Sequence, residues 1–295
     1  MKNVAIVTGA TSGVGREFVR QLDEMLYGSI DEIWAVARSA EGLSQLSEMA
    51  RTPVRAFALD LTDPSAPRQL EMTLELERAA QGVNVVWLVN SAGSGWFGGY
   101  QDMDSSAVRH MVELNCLALA DITSAALPYM SPGSRIVNMA SIAAFLPLPG
   151  MALYAATKRF VLDLTHGLNE DLRGTGINAC AVCPKAMRTG FWDGAGSDEA
   201  KGMGFFFGTE DVADVVRKAI HAVQMGRGSV VTSPDMKLAC AAFKVMPYSM
   251  LCGLTKAALA AHRSLAYRER AQRHSLFLHT DAQKRARICG PICMA

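Results

Sequence analysis

Short, nearly continuous apolar runs alternate along this chain with longer stretches in which apolar side chains return every three or four residues. The runs are Val4–Val7, Glu32–Ala37, Val54–Leu59, Val83–Val89, Arg135–Met139 and Asn178–Cys183, and β-branched or aromatic residues enrich them. Runs this short, with so little polar interruption, suit strands covered on both faces. The longer stretches are clearest at Ser106–Met130 and Ala152–Arg173, and another passes through Phe18, Val19 and Leu22. The alternation predicts an α/β fold, a doubly wound parallel sheet with helices on both faces. Ligands of such sheets bind beyond the carboxyl ends of the strands, where the strand order reverses. Residues 1–235 are expected to form one such domain, followed by an apolar and then basic helical extension over 236–295.

Composition narrows the class. Half of the 295 residues are hydrophobic, enough for a fully covered sheet, and 29 Lys and Arg against 28 acids give no global bias toward nucleic acid. Seven cysteines without scaffold-like spacing point to free thiols in a reducing, cytoplasmic setting. Cys289 and Cys293 supply only two ligands, too few for a zinc site, so no metal is expected. The apolar run after Lys2 is too short for a signal peptide. No stretch is expected to span a membrane: around Met236–Ala261, Lys237, Lys244, Pro247 and Lys256 interrupt the apolar residues.

The chemistry lies just after the strands. Val4–Val7 leads into Thr8-Gly9-Ala10-Thr11-Ser12-Gly13-Val14-Gly15 and then a helix. Such a turn brings backbone N–H groups and a helix N-terminus up to a phosphate. Gly9 lets the chain turn, Gly13 allows approach to a pyrophosphate, and Gly15 lets the helix pack close. Farther on, Tyr154 and Lys158 stand four residues apart on one helix face, with Ser141 thirteen positions upstream of Tyr154. A phenol titrates near 10, and a neighbouring ammonium is expected to lower that value into a useful range.

Together these residues resemble the classical short-chain dehydrogenase/reductase family, from about residue 3 to residue 235. Thr8–Gly15 resembles its cofactor loop, including Thr11, Ser12 and Val14. Asp60-Leu61 resembles the pair beside the adenine. Asn90-Ser91-Ala92-Gly93 resembles the family's Asn-Asn-Ala-Gly element, with Ser91 in place of the second Asn. Asn115, Ser141, Tyr154 and Lys158 match the catalytic tetrad. Pro184 to Thr189 resembles the element at the nicotinamide, with Lys185 where the family has Gly, a change that puts the local loop shape in question. The resemblance implies a Rossmann-like fold and hydride transfer. Tyr154 would then move the proton, Ser141 would hold the carbonyl oxygen, and Lys158 would also bind the nicotinamide ribose. Asn115 would anchor a proton-relay water, and Thr189 would hold the carboxamide.

At the end of the second strand, Ala37 stands where NAD-dependent relatives usually carry Asp, and Arg38 follows. A guanidinium suits the 2′-phosphate of NADP(H), the expected cofactor. The stretch after Ser141, including Phe145, and the stretch after Thr189, including Phe191, Trp192 and Phe205–Phe207, are apolar. They imply a hydrophobic ketone or alcohol, steroid, fatty-acyl or aromatic, with Ser141, Phe145, Tyr154 and Phe191 at the substrate. A nucleotide-binding regulator without turnover is the rival, opposed by the presence of both Tyr154 and Lys158. A sugar epimerase of the extended branch is disfavoured by the glycine spacing.

From Lys256 to Arg287 eight basic residues face two acids, a net of +6, which leaves −5 for the rest of the chain. This segment is a solvated helix and tail, or the basic half of a peripheral membrane contact whose apolar half is Met236–Leu254. No nucleic-acid partner is expected. A homodimer through Ser106–Met130 and Ala152–Arg173 is expected, with a tetramer as the alternative.

Overall fold

The structure, a computed structural model, describes residues 1–187, 189, 191, 208–243 and 245–257. Its strands are β1 (Lys2–Thr8), β2 (Glu32–Ala37), β3 (Val54–Ala58), β4 (Val83–Asn90), β5 (Arg135–Met139), β6 (Asn178–Cys183), the two-residue β7 (Ala186–Met187) and β8 (Thr209–Glu210), and β9 (Ser229–Val231). The helices are α1 (Gly13–Leu26), α2 (Ala40–Met49), α3 (Ser65–Ala80), α4 (Ser105–Val112), α5 (Ala118–Ala126), α6 (Ala152–Asp171), α7 (Val212–Gln224) and α8 (Pro234–Phe243). Residues 248–257 are also helical. Trp192, Phe205–Phe207, Cys289, Cys293 and the basic run beyond Lys256 lie outside the described residues.

Seven strands form one parallel sheet in the order β3-β2-β1-β4-β5-β6-β9. Side-chain alternation sorts each strand's residues between the two faces. Ala5 and Val7 of β1, with Ile33 and Ala35 of β2, meet Phe18 and Leu22 of α1, Leu43 of α2 and Val216 and Ile220 of α7. Val4, Ile6, Trp34 and Val36 meet Leu70 and Leu74 of α3 and Ile122 of α5 on the other face. Helices therefore cover both sides, as the apolar runs predict. The order reverses between β1 and β4, which opens a crevice at their carboxyl ends.

Two differences from the sequence reading have local causes. Ser106–Met130 is broken by a π-helical turn at Glu113–Leu117, which adds a residue to one turn and re-aims Asn115 into the interior. The same helical run, Ser105–Tyr129, is also long and apolar enough by length and composition to cross a membrane, contrary to expectation. Here it packs on the sheet instead, with Ala118, Ile122 and Ala126 in the core and Thr123 bonded to Asn90 of β4.

Candidate active site

The reversal between β1 and β4 opens a cavity of about 860 Å³. Its floor is the turn after β1. Gly9 has φ of +66°, and a Cβ there would meet the Ala92 backbone at 3.0 Å. A Cβ on Gly15 would lie 2.2 Å from the Gly9 carbonyl oxygen, so only glycine lets α1 start so close to the sheet. Thr8, which opens the predicted cofactor loop but was given no role of its own, ties this turn to the next loop: its hydroxyl accepts from the N–H groups of Ser91 and Ala92 at 3.0 and 3.1 Å. The clue was its place at the strand end, but a lone Thr does not reveal which backbone it will meet.

Thr11, Ser12, Gly13 and Val14 line the cavity, and Ser12 caps α1 without a side-chain hydrogen bond. The leading N–H groups of α1 therefore stand at the cavity wall with no capping oxygen from Ser12 and no acid in the first turn, which suits a phosphate. Arg38, exposed at the end of β2, and Asp60-Leu61 line the adjoining wall. The Asp60 carboxylate is held below its ordinary range, first by bonds from the Thr62 N–H and hydroxyl, with lesser help from the charges of Arg38 and His110. These residues fit a dinucleotide: a glycine cradle, a helix N-terminus, a cation and an acid along one cleft.

Ser141, Tyr154 and Lys158 line the other end, all buried. Ser141 ends the turn after β5, and its hydroxyl oxygen accepts from the Ala143 N–H at 3.1 Å. Tyr154 and Lys158 sit on the first turns of α6, with the Lys158 ammonium 5.7 Å from the Tyr154 ring centre. Lys158 also donates to the Met139 carbonyl oxygen at 2.9 Å. Burial pushes the Tyr154 phenol up to about 12, against a hydrogen bond with Ser141 that pulls the other way. Burial also lowers Lys158 to about 8. The expected lowering of Tyr154 is thus reversed, because desolvation of the phenolate outweighs the Ser141 hydrogen bond. At neutral pH the phenol is protonated and can act as an acid.

Several site residues stand elsewhere than the sequence suggested. Asn115 does not line the cavity. Its side chain pairs with the Ser94 backbone, accepting at 2.8 Å and donating at 2.9 Å, and donates to Thr157 at 3.0 Å. Thr157 in turn donates to the Tyr154 carbonyl at 2.8 Å, so Asn115 braces the helix that carries the pair. Asn90 turns away from the cavity and donates to Thr123 and Asn138 at 3.0 and 2.9 Å. Gly15 acts by packing only. Phe145, expected at the substrate, points inward with Leu119, Val161 and Leu162, because the 3₁₀ turn Ile142–Phe145 gives Ile142 and Ala143 to the cavity instead.

Ala92, Gly93, Pro184, Thr189 and Phe191 do line it. Phe191 meets the Tyr154 ring edge-on at 6.0 Å. Lys185 keeps an ordinary backbone angle, since no non-glycine residue described has positive φ. Its N–H donates to Glu210 at 2.8 Å and its ammonium pairs with Asp235. The glycine of the family pattern is not needed here. Trp96, Met103, Met111, Leu148 and Met151 complete an apolar wall that the sequence only partly indicated.

Over residues 3–200 the chain matches the family model for short chain dehydrogenase. It belongs to the short-chain dehydrogenases. This short-chain dehydrogenase is 32% identical over 228 residues to sulfoacetaldehyde reductase 2 of Chromohalobacter salexigens, covering 73% of this chain and 87% of that protein. It is 28% identical over 196 residues to the very-long-chain 3-oxoacyl-CoA reductase of Homo sapiens, covering 63% of this chain and 59% of that one. The short-chain dehydrogenase from Sphingobium yanoikuyae in complex with NADPH superposes with a TM-score of 0.67 at 28% identity, over 79% of this chain and 89% of that one. One from Burkholderia phymatum in complex with NAD shares the fold, with a TM-score of 0.70 at 23% identity, over 81% and 92%. Family membership makes the chain an oxidoreductase acting on CH–OH groups.

Proposed function

We propose that this short-chain dehydrogenase is an NADP(H)-dependent oxidoreductase that interconverts a hydrophobic ketone and a secondary alcohol. The observation that carries the reading is one cavity: the glycine turn and Arg38 line one end, and Ser141, Tyr154 and Lys158 line the other. The end of β2 offers Arg38 and no acid, which favours a 2′-phosphate over a free 2′-hydroxyl. The apolar wall of Trp96, Met103, Met111, Leu148, Met151 and Phe191 favours a hydrophobic substrate.

The cofactor, when bound, supplies or accepts hydride. Ser141 hydrogen-bonds the substrate oxygen and stabilises its developing charge. Tyr154, neutral at the working pH, donates its proton to that oxygen in the reducing direction. Lys158, between Met139 and the Tyr154 ring, stabilises the phenolate that remains. Asn115 and Thr157 hold α6 in place. The free thiols among the described residues, Cys116, Cys180, Cys183, Cys240 and Cys252, accord with a cytoplasmic setting. Exposed Val112, Leu117 and Phe160 on the two long helices accord with a homodimer.

The test is a cofactor-oxidation screen of the purified chain with NADPH and NADH against steroid, acyl and aromatic ketones, with sulfoacetaldehyde included. Turnover of a hydrophobic ketone with NADPH supports the reading. Turnover confined to sulfoacetaldehyde would overturn the substrate class, and equal use of NADH would overturn the cofactor preference.

A further inference from the structure

The helices after β9 bury some of their side chains and leave several large apolar ones exposed. Met236 and Cys240 of α8 pack with Ile142 and Leu162 in the core, and Leu251 and Thr255 are buried on the following helix. Leu238, Val245, Tyr248, Met250 and Leu254 of the same stretch are exposed, Val245 to 86% and Leu238 to 79%. A helix whose outward face is for solvent alone carries polar side chains there. Among the described residues this stretch of seventeen positions holds five large exposed apolar side chains, a density that marks a contact surface.

We propose that this surface docks the enzyme on an anionic lipid bilayer, a reading that goes beyond the reductase activity and does not depend on it. The charges of the stretch choose the occupant. Between Met236 and Ala257 the only ionisable charges are Lys237, Lys244 and Lys256, all basic. The nearest acid in sequence, Asp235, is already paired with Lys185. Beyond Lys256 the sequence to Arg287 adds seven more basic residues against two acids. Apolar side chains flanked by basic ones are the composition of an interfacial anchor, in which hydrophobic insertion and attraction to anionic headgroups act together. A second copy is disfavoured as occupant, because a two-fold contact sets the same patch against itself and would bring these like charges together. The tyrosine at 248 suits the boundary between headgroups and chains.

The full chain would be mixed with vesicles of phosphatidylcholine alone or with one-third phosphatidylglycerol, and the bound fraction read by sedimentation. Binding is expected on the anionic vesicles and is expected to weaken in high salt. Lys237→Gln with Lys256→Gln should weaken it by roughly twenty-five-fold, about fivefold for each charge removed. Leu238→Gln with Leu254→Gln should abolish it while ketone reduction in solution stays unchanged. Hydrogen exchange on the unmodified chain serves as a second reading, with protection expected over 238–256 only when anionic vesicles are present. No vesicle binding, equal binding to both vesicles, or protection that follows protein concentration without lipid would each overturn the proposal. The last result would assign the surface to a second copy.

Discussion

The Lys158 ammonium lies 5.7 Å from the centre of the Tyr154 ring and spends a hydrogen bond on the Met139 carbonyl. Two buried groups of opposite habit thus share one dry corner. Burial raises the phenol to about 12 and lowers the amine to about 8. The acid is therefore loaded throughout the neutral range, and the first group to titrate on raising pH is the lysine. Ketone reduction should fall as pH passes about 8, because neutral Lys158 no longer stabilises the phenolate formed on proton transfer. Initial rates across pH check this, and Lys158→Met should lower the rate and remove that limb. Stability has the opposite trend. With the folded value of Lys158 at about 8, below its ordinary 10.5, the unfolded chain binds more protons in between. Lys158 therefore makes the fold more stable as pH rises through that window, and Lys158→Met should flatten the trend in denaturant melts.

Tyr154→Phe keeps the ring, its edge contact with Phe191 and its burial, and removes only the hydroxyl. Turnover should drop by about two to four orders of magnitude, the range for loss of a positioned proton donor. Cofactor affinity, followed by fluorescence titration, should change little. Undiminished turnover in a clean preparation would take Tyr154 out of the mechanism.

Arg38 is exposed at the cavity wall, and its charge is among the lesser influences that lower Asp60. Arg38→Ala should weaken NADPH binding by tenfold or more and NADH binding little, since a charge-assisted bond to phosphate is worth about 1.5–3 kcal/mol. Ala37→Asp should shift preference toward NADH. Equal losses for both cofactors would give Arg38 a structural role instead.

Much of the fold was legible because its strands are covered on both faces. Glu32–Ala37, Arg135–Met139 and Asn178–Cys183 run as apolar blocks, and all three are strands with those bounds. β9 was missed: Ser229–Val231 is three residues long and carries too little pattern to separate from a turn. The clustering of Ser141, Tyr154 and Lys158 in one cavity was legible from spacing, since one helix face carries two of them. Direction was not. Asn90 and Asn115 sit in recognisable motifs, yet both spend their amides on buried partners, a choice fixed by Thr123, Asn138, Thr157 and the Ser94 backbone. Phe145 was misplaced for a similar reason, because a 3₁₀ turn rotates successive side chains by a third of a circle and spacing alone does not reveal it. The sign of the Tyr154 shift depends on burial, which no local sequence feature displays.

The assembly prediction starts from faces that the single chain leaves uncovered. Val112 and Leu117 on the run from α4 to α5, and Phe160 on α6, are exposed at 41%, 53% and 41%. The opposite sides of these helices already meet the sheet: Ile122 and Ala126 pack below α5, and Val161 and Leu162 pack beneath α6. Apolar residues on the far side therefore exceed what one sheet face needs. A two-fold contact would bury each of them against its counterpart, gaining roughly 25 cal/mol for every Å² of apolar surface removed from water. Light scattering on the full chain should give a dimer mass. Leu117→Glu with Phe160→Glu places like charges in that contact and should give monomers with an unchanged circular dichroism spectrum. A dimer that survives this pair would move the subunit contact away from these helices, and a tetramer that falls to a dimer on ending the chain near Pro234 would place a second contact on α8 and the helix that follows.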